Sequence, residues 1–227
     1  MTTPVEEILD IAVAEGFLTS QAAAEGPAHS AGFLRFGGLD DSGVVSDPAV
    51  EGVPVDLDSE LIAIDLGTGG GVPGLVLATL TPNRWILVDR GDRRCTFLRW
   101  AVRELDIADR VEVHAMDVVE VARGDLRGRA GLVTARSFAA PGSTAECAAP
   151  LLAPDGVLVV SEPPGDKGGA LNRWVPEALG QLGLADMGGW RHGEAGYRAM
   201  RSSGTCPQRF PRRFRRQLAA PLFYSAL

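Results

Sequence analysis

A glycine-rich turn carries the clearest chemical signal in this sequence. Residues 65–74 read DLGTGGGVPG and directly follow the apolar run Leu61–Leu66. Glycines at this spacing, Gly67, Gly69 and Gly71, permit positive φ angles and let a ligand approach the backbone closely. The turn therefore predicts a ligand-binding connection between a strand and the helix after it.

A second signal is the acidic residue at the end of the next apolar run. Asp89 follows the run Trp85–Val88 and lies 22 residues after Gly67. An acidic residue at this place in a strand–helix unit accepts hydrogen bonds from ribose hydroxyls. The turn and the carboxylate together predict a site for a ligand that contains a nucleoside.

The candidate ligands for such a turn are a nicotinamide or flavin dinucleotide, a phosphate and the nucleoside of S-adenosylmethionine. The neighbouring residue types help to choose among them. Asp65, beside the turn, would repel a pyrophosphate but could lie near the cationic amino group or sulfonium of a methyl donor. The G-x-G-x-G spacing differs from the dinucleotide pattern G-x-G-x-x-G, and no lysine follows the glycines as it does in a phosphate cradle. The pattern favours a methyl-donor site and leaves open a dinucleotide site or a purely structural turn.

The elements that must position this site alternate regularly from residue 61 onward. Short apolar runs predict strands at 61–66, 85–89, 111–115, 131–135 and 156–161, and amphipathic stretches predict helices at 74–80, 92–105, 144–152 and 172–182. This alternation predicts an α/β fold, a doubly wound, mostly parallel sheet with its ligand crevice at the carboxyl ends of the first strands. A further helix is predicted at 5–15, an irregular segment at 26–58, and edge strands in the glycine- and arginine-rich end.

Charge is segregated along the chain. Residues 1–60 hold twelve acidic residues and one arginine, whereas residues 190–227 hold eight arginines and one glutamate. The stretch Arg209–Arg216 combines five arginines with two phenylalanines, a composition that suits phosphate contacts and base stacking. The alternative is that these arginines pair with the acidic first segment. The net charge of -7 therefore does not exclude a nucleic-acid partner.

Composition limits the class of protein. The chain has 227 residues, of which 45% are hydrophobic, which supports a buried core and excludes a disordered tail protein. Three dispersed cysteines exclude a zinc ribbon and disfavour a disulfide framework, so a reducing cytoplasm is expected. No apolar run reaches the roughly 18 to 20 residues of a membrane span, so neither a membrane helix nor a signal peptide is predicted. No metal site is predicted either.

Several segments resemble one protein family. Residues 65–74, 87–99 and 133–139, together with the tail from Arg209 to Arg213, are similar to the RsmG (glucose-inhibited division protein B) family of small-subunit ribosomal RNA methyltransferases. The basic pair and the Phe-Leu-Arg sequence at fixed distances after Asp89 are more specific than a general methyltransferase pattern. The resemblance covers about residues 61–156 and the last 20 or so residues.

The resemblance implies a class I S-adenosylmethionine-dependent methyltransferase that forms 7-methylguanosine in small-subunit (16S) ribosomal RNA. Together with the turn analysis, it gives the expected cofactor-binding residues as Asp65, Gly67, Gly69, Gly71, Val72, Asp89, Asp117, Val118 and Arg136. The expected substrate-binding residues are Arg209, Arg212 and Arg213. No catalytic residue is named, because ring nitrogen 7 of guanine has a free lone pair and needs positioning more than proton abstraction.

The sequence also departs from the family pattern on the substrate side. Met116–Val119 stands where the family has an R-A-E-E run, and Glu162-Pro163 replaces a lysine-glycine. Two alternatives therefore accompany the first hypothesis: a paralogous methyltransferase acting on another RNA or a small molecule, and a non-catalytic binding module. The expected division of the chain is an acidic N-terminal helix and irregular extension, 1–60, followed by a methyltransferase domain with an arginine-rich C-terminal segment, 61–227.

Overall fold

A seven-stranded sheet forms the centre of the protein. The computed structural model describes residues 3–35, 62–163 and 173–223. The strands are β1 (Ile62–Leu66), β2 (Trp85–Asp89), β3 (Val111–Ala115), β4 (Ala130–Ala135), β5 (Leu152–Glu162), β6 (Leu184–His192) and β7 (Ala195–Ser202). Their order is β3-β2-β1-β4-β5-β7-β6, with β1 to β5 paired in parallel and β7 antiparallel to both β5 and β6. The predicted mostly parallel α/β sheet is confirmed.

Helices cover both faces of the sheet. They are α1 (Val5–Ala14), α2 (Ser20–Ala31), α3 (Gly74–Leu80), α4 (Asp92–Glu104), α5 (Val118–Val121), α6 (Pro141–Ala148), α7 (Pro176–Gln181) and α8 (Phe214–Ala219). Successive strand residues point to opposite faces, so Leu87 packs with α1, α3 and α4 while Val88 packs with α5, α6 and α7. Both residues are fully buried. Strands buried on two faces explain why the apolar runs are continuous in sequence.

Element bounds differ from the predictions mainly in the second half of the chain. Helix α6 begins at Pro141 and a 3-10 turn follows it, so β5 begins at Leu152, four residues before its predicted start. Helices α5 and α8, of four and six residues, were not predicted because they are too short to show a helical period. Of the two C-terminal strands, β6 is an edge strand as expected, whereas β7 lies inside the sheet.

Helix α2 corrects the prediction of an irregular segment from residue 26. The segment contains Gly26 and Pro27, which usually end helices, yet Ser20–Ala31 is helical. A Cβ at Gly26 would lie 3.1 Å from a methyl group of Val72 and 3.3 Å from one of Leu9. The glycine therefore serves close packing rather than a chain break. The rest of the predicted irregular segment, from residue 36, lies outside the described residues.

Two hydrogen bonds join the N-terminal helices to the far end of the sheet. The Tyr197 hydroxyl donates to the carbonyl of His29 at 2.7 Å, and Trp190 Nε1 donates to the carbonyl of Gly32 at 2.9 Å. Phe33, 1% exposed, packs in the same core as the sheet. Residues 3–35 thus share the core of the sheet, while the expected boundary at residue 60 lies outside the described residues and stays a prediction. In the described ranges, no helix has the length and apolarity needed to cross a membrane.

Candidate functional site

A cavity of about 350 Å³ opens at the carboxyl ends of β1 to β4. Its volume lies within the range of small-molecule sites in proteins. The residues that follow these four strands contribute to its wall, so four separate chain segments converge on one space. The lining consists of Phe17, Gly67, Gly69, Asp89, Arg90, Arg94, Met116, Asp117, Val118, Ser137, Phe138 and Phe214.

Two glycines of the turn border this cavity with positive φ angles. Gly67 has a φ of 69° and Gly69 a φ of 59°, values that side chains other than glycine rarely tolerate. A Cβ at Gly67 would also lie 2.8 Å from the ring of Phe138. The turn therefore offers its backbone to the cavity, as the sequence predicts.

Gly71 and Val72 lie behind the turn rather than in the cavity wall. Gly71, with a φ of 109°, donates its N–H to the carbonyl of Thr68 at 2.9 Å. Val72 is 6% exposed and packs with Leu9 and Ala23 of the N-terminal helices. Val72 thus holds the turn against α1 and α2, and the expected contact of both residues with a cofactor stays a prediction.

Asp89 presents its carboxylate to the cavity within a dense set of donors. Oδ2 accepts the N–H of Gly69 at 3.0 Å, and Oδ1 accepts the N–H of Gly91 at 2.7 Å. Oδ1 also accepts Nε and Nη2 of Arg94, at 3.0 and 2.7 Å. Burial by itself would raise the pKa of Asp89, but the hydrogen bonds from Arg94, Gly91 and Gly69 outweigh it and hold the pKa below its usual value. The group is therefore an anionic hydrogen-bond acceptor at neutral pH.

Asp65 is placed differently from the expectation that it contacts a ligand. Its side chain is fully buried, where Oδ1 accepts the Thr134 hydroxyl at 2.7 Å and Oδ2 accepts the N–H of Gly74 at 3.1 Å. Burial raises the pKa of Asp65 to about 6, although hydrogen bonds from Thr134, Thr68 and Gly74 oppose the rise. The carboxylate therefore ties β1 to β4 and to the start of α3 instead of facing the cavity.

Asp117 and Val118 lie on the cavity wall beside β3. The Asp117 side chain caps α5 by accepting the N–H of Val119 at 2.8 Å, and Val118 is 7% exposed. The cap fixes one carboxylate oxygen of Asp117. The polar side chain of Asp117 and the apolar side chain of Val118 then lie next to each other at the cavity edge. Such a pair suits the edge and face of a nucleobase.

Arg136 follows β4 but does not line the cavity. Its guanidinium is half-buried and has no hydrogen bond or ion pair with the residues that the structure describes. Burial lowers the pKa of Arg136, while the charges of Tyr197, Glu25 and Asp65 oppose the decrease. Its expected role in cofactor binding stays a prediction.

Arg212 is a structural residue, which corrects its expected role in substrate binding. Its guanidinium donates to both carboxylate oxygens of Glu146, with Nε–Oε1 at 2.8 Å and Nη2–Oε2 at 2.6 Å, and its backbone N–H donates to Oε1 at 2.7 Å. Glu146 is fully buried in α6. A buried carboxylate needs a paired cation, so this bidentate contact anchors the arginine-rich tail.

The remaining tail arginines are all exposed. Arg209 stacks over Phe210 with 4.8 Å between the guanidinium carbon and the ring centroid. Arg213, Arg215 and Arg216 are exposed at the start of α8, beside the cavity-lining Phe214. Within the described residues, the tail pairs with Glu146 rather than with the acidic N-terminal segment. Seven of the twelve acidic residues of that segment lie outside the described residues.

Glu162, which reverses the family's charge on the substrate side, is neutralised locally. Its carboxylate pairs with Arg173 and accepts Trp174 Nε1 at 2.5 Å. The Glu162 side chain is 6% exposed. The carboxylate therefore does not present a free negative charge at the end of β5.

Several cavity residues were missed by sequence reasoning. Phe17, Arg94 and Phe214 come from the α1–α2 connection, α4 and the tail, and Ser137 and Phe138 follow β4. Phe138 lies in a segment that carried the family resemblance, so its position was a usable signal. Phe17 gave no such signal, because its place depends on how α1 folds back onto the sheet, whereas Phe214 belongs to the arginine-rich stretch whose composition suits base stacking.

Comparison with known proteins identifies the family. The model of the GidB family, described as rRNA small subunit methyltransferase G, matches residues 49–162, half of the chain. The chain belongs to this family. The predicted family resemblance is thereby confirmed.

Two relatives carry the name ribosomal RNA small subunit methyltransferase G. The protein of Parasynechococcus marenigrum is 37% identical over 161 residues, covering 66% of this chain and 63% of the relative. That of Cereibacter sphaeroides is 40% identical over 101 residues, covering 42% of this chain and 46% of the relative. The matched part of the chain thus spans less than two thirds of either relative.

A solved structure agrees with the family in fold. The geranyl diphosphate C-methyltransferase from Streptomyces coelicolor A3(2), crystallised with S-adenosyl-L-homocysteine, is similar with a TM-score of 0.50 and 12% identity, covering 63% of this chain and 72% of that one. The likeness concerns the fold alone. Together with the sheet order, it confirms the predicted class I methyltransferase fold.

The Arg212–Glu146 contact predicts a contrast between neighbouring arginines. Arg212→Ala should lower the free energy of unfolding by about 3 to 5 kcal/mol, because it leaves a buried carboxylate unpaired. The exposed Arg213→Ala should change it by less than about 0.5 kcal/mol. Urea denaturation of both variants measures the difference, and equal midpoints would show that the ion pair does not anchor the tail.

The raised pKa of Asp65 predicts a pH-dependent loss of stability. The pKa of Asp65 in the folded protein, about 6, lies above its ordinary value of 3.8. The protonated carboxyl therefore stabilises the folded state below pH 4, and this stabilisation is lost as the pH rises through 6. The loss amounts to about 3 kcal/mol. The difference in unfolding free energy between wild type and Asp65→Asn should shift by this amount from pH 4 to pH 7. A constant difference would mean that Asp65 does not titrate in this range.

Proposed function

We propose that the protein is an S-adenosylmethionine-dependent methyltransferase that forms 7-methylguanosine in small-subunit ribosomal RNA. The observation that carries the proposal is the Asp89 carboxylate, held anionic on the wall of a cavity of about 350 Å³ and bordered by the glycine turn. Family membership supports the same reaction. The cavity residues also fit the donor chemically, since a ribose needs an acceptor and a nucleobase needs a polar edge beside an apolar face.

Each end of the donor has candidate partners in the chain. Asp89 would accept the ribose hydroxyls, and Asp117 and Val118 would contact the adenine. Gly67 and Gly69 would approach the ligand with their backbone, since neither carries a side chain that would exclude it. Arg136, which follows β4, would bind the carboxylate of the methionine moiety.

The reaction requires the protein to position the methyl donor and the acceptor, and it does not require a general base. S-adenosylmethionine supplies a methyl group on a sulfonium sulfur, and guanine nitrogen 7 has a lone pair that can accept it without losing a proton. Phe138 and Phe214, whose ring centroids are 6.3 Å apart, form an apolar wall that would exclude water and orient a flat acceptor. No histidine, cysteine or carboxylate is therefore assigned as a general base.

The exposed arginines of the tail support an RNA substrate. Arg213, Arg215 and Arg216 lie next to Phe214 at the cavity, where a phosphate chain must pass if one of its bases enters. The pairing of Glu162 with Arg173 removes the unfavourable charge that the sequence places at this edge. Both observations favour RNA over a small-molecule acceptor. A ribosomal substrate also fits the cytoplasmic location expected from the cysteines.

Nucleoside analysis of ribosomal RNA tests the reaction. Purified protein incubated with S-adenosylmethionine and small ribosomal subunits from a strain that lacks the gene should produce 7-methylguanosine detectable by mass spectrometry. Donor binding without the modified nucleoside would assign the protein to a different acceptor. Absence of donor binding by folded protein would contradict the methyltransferase assignment itself.

Asp89→Ala should weaken donor binding by about 10- to 100-fold, because charged hydrogen bonds to the ribose contribute roughly 1.5 to 3 kcal/mol. Isothermal titration calorimetry with S-adenosylmethionine measures the change. Asp109→Ala, an exposed carboxylate before β3, is the matched control and should bind as wild type does. Equal affinity of the Asp89 variant would show that the ribose lies elsewhere.

Replacing Arg213, Arg215 and Arg216 together by alanine should weaken binding of ribosomal RNA and lower its salt slope by about two to three units, one for each lost phosphate contact. The control is the triple alanine variant of Arg84, Arg103 and Arg129, which lie near the amino ends of the strands. That control should bind within about twofold of wild type. Fluorescence anisotropy across a salt series measures both, and an unchanged slope in the tail variant would exclude the tail from the RNA interface.

A further inference from the structure

The hydrogen bonds of Asp89 leave little room for a ribose. A carboxylate has about four lone-pair sites, and Asp89 receives four donors. Three of these donors crowd Oδ1, and two of the three belong to the side chain of Arg94. A ribose that places both hydroxyls on this carboxylate must therefore displace one of the present donors.

Arg94 is the donor that can move. The N–H groups of Gly69 and Gly91 are fixed by the glycine turn and by the chain entering α4, whereas the arginine side chain is flexible and 38% exposed. It has no other hydrogen bond or ion pair with the described part of the chain. Both Arg94 and the neighbouring, exposed Arg90 line the cavity, so a displaced Arg94 guanidinium stays at the cavity rim.

Gly91 provides the surface on which the guanidinium lies. A Cβ at this position would be 2.7 Å from Arg94 Nη2 and 2.8 Å from its guanidinium carbon. The backbone of Gly91, with φ of -88° and ψ of 111°, is accessible to any residue. The backbone conformation at position 91 does not require glycine. The absence of a side chain there instead leaves room for the ion pair between Arg94 and Asp89.

We propose that Arg94 alternates between two partners, the Asp89 carboxylate before the methyl donor binds and an RNA phosphate once the ribose has taken its place. This inference rests on the proposed function and adds a residue that couples the two substrates. Donor binding would release one cation at the rim, beside Arg90, where it can contact the RNA backbone. Because coupling between two sites is reciprocal, bound RNA would strengthen donor binding by the same factor.

Two variants separate this role from a purely structural one. Arg94→Gln removes the competing cation, so S-adenosylmethionine should bind about three- to tenfold more tightly than to wild type in calorimetry. Gly91→Ala keeps the cation but pushes it off Asp89, and should tighten donor binding similarly. If Arg94 instead holds Asp89 in its binding position, both variants would bind the donor more weakly, and the proposal would be wrong.

RNA binding gives the second readout. With a small-subunit ribosomal RNA transcript as the probe, wild type should bind more tightly in the presence of S-adenosylmethionine, with a salt slope steeper by about one unit. Arg94→Gln should lose this response to the donor. Gly91→Ala should already bind RNA without donor as tightly as wild type does with it. A donor-independent salt slope in wild type would overturn the coupling.

Arg103→Gln is the matched control, since Arg103 is an exposed arginine of α4 that does not line the cavity. It should leave donor affinity unchanged and keep the response of RNA binding to the donor. A wild type that binds no S-adenosylmethionine would refute the proposed function. Donor binding that weakens in Arg94→Gln would refute the role of Arg94 alone, so the two failures are distinguishable.

Discussion

The buried carboxylate of Asp65 is the constraint around which the site is built. An anion without solvent contact is stable only when donors surround it, and its donors come from β4 through Thr134 and from α3 through Gly74. A Cβ at Gly74 would lie 2.5 Å from the Asp65 side chain, so the helix can begin this close to the strand only at a glycine. One buried charge thus fixes the distance between the strand, its neighbour and the following helix.

Asp89 holds the glycine turn from the side that faces the cavity. It accepts the N–H of Gly69, so the turn is held by Asp65 from behind and by Asp89 in front. Two carboxylates consequently differ in role because they differ in surroundings. Burial raises the pKa of Asp65 to about 6, whereas the hydrogen bonds from Arg94, Gly91 and Gly69 keep Asp89 anionic. The first acts as a structural tie and the second as a candidate ligand acceptor.

Sequence reasoning predicted the sheet, the glycine turn and Asp89 because local patterns determine them. Continuous apolar runs and the strand–turn–helix order need no knowledge of distant contacts. The errors arise where distant contacts decide. Gly26 looked like a helix breaker but serves packing against Val72, and Arg212 looked like a phosphate ligand but binds Glu146, 66 residues earlier. Asp65 was assigned to a ligand because its sequence position does not reveal which way the carboxylate points.

The backward fold of the tail sets the order in which the cavity can form during synthesis. Arg127 donates to carbonyls of Cys206, Pro207 and Phe210, and Arg123 to that of Pro211, which brings Phe214 to a wall otherwise built before residue 139. A nascent chain on the ribosome can therefore pair β1 to β4 long before its cavity is closed. The cavity is completed only after residue 214 has left the exit tunnel, when all seven strands of the sheet have already been synthesised.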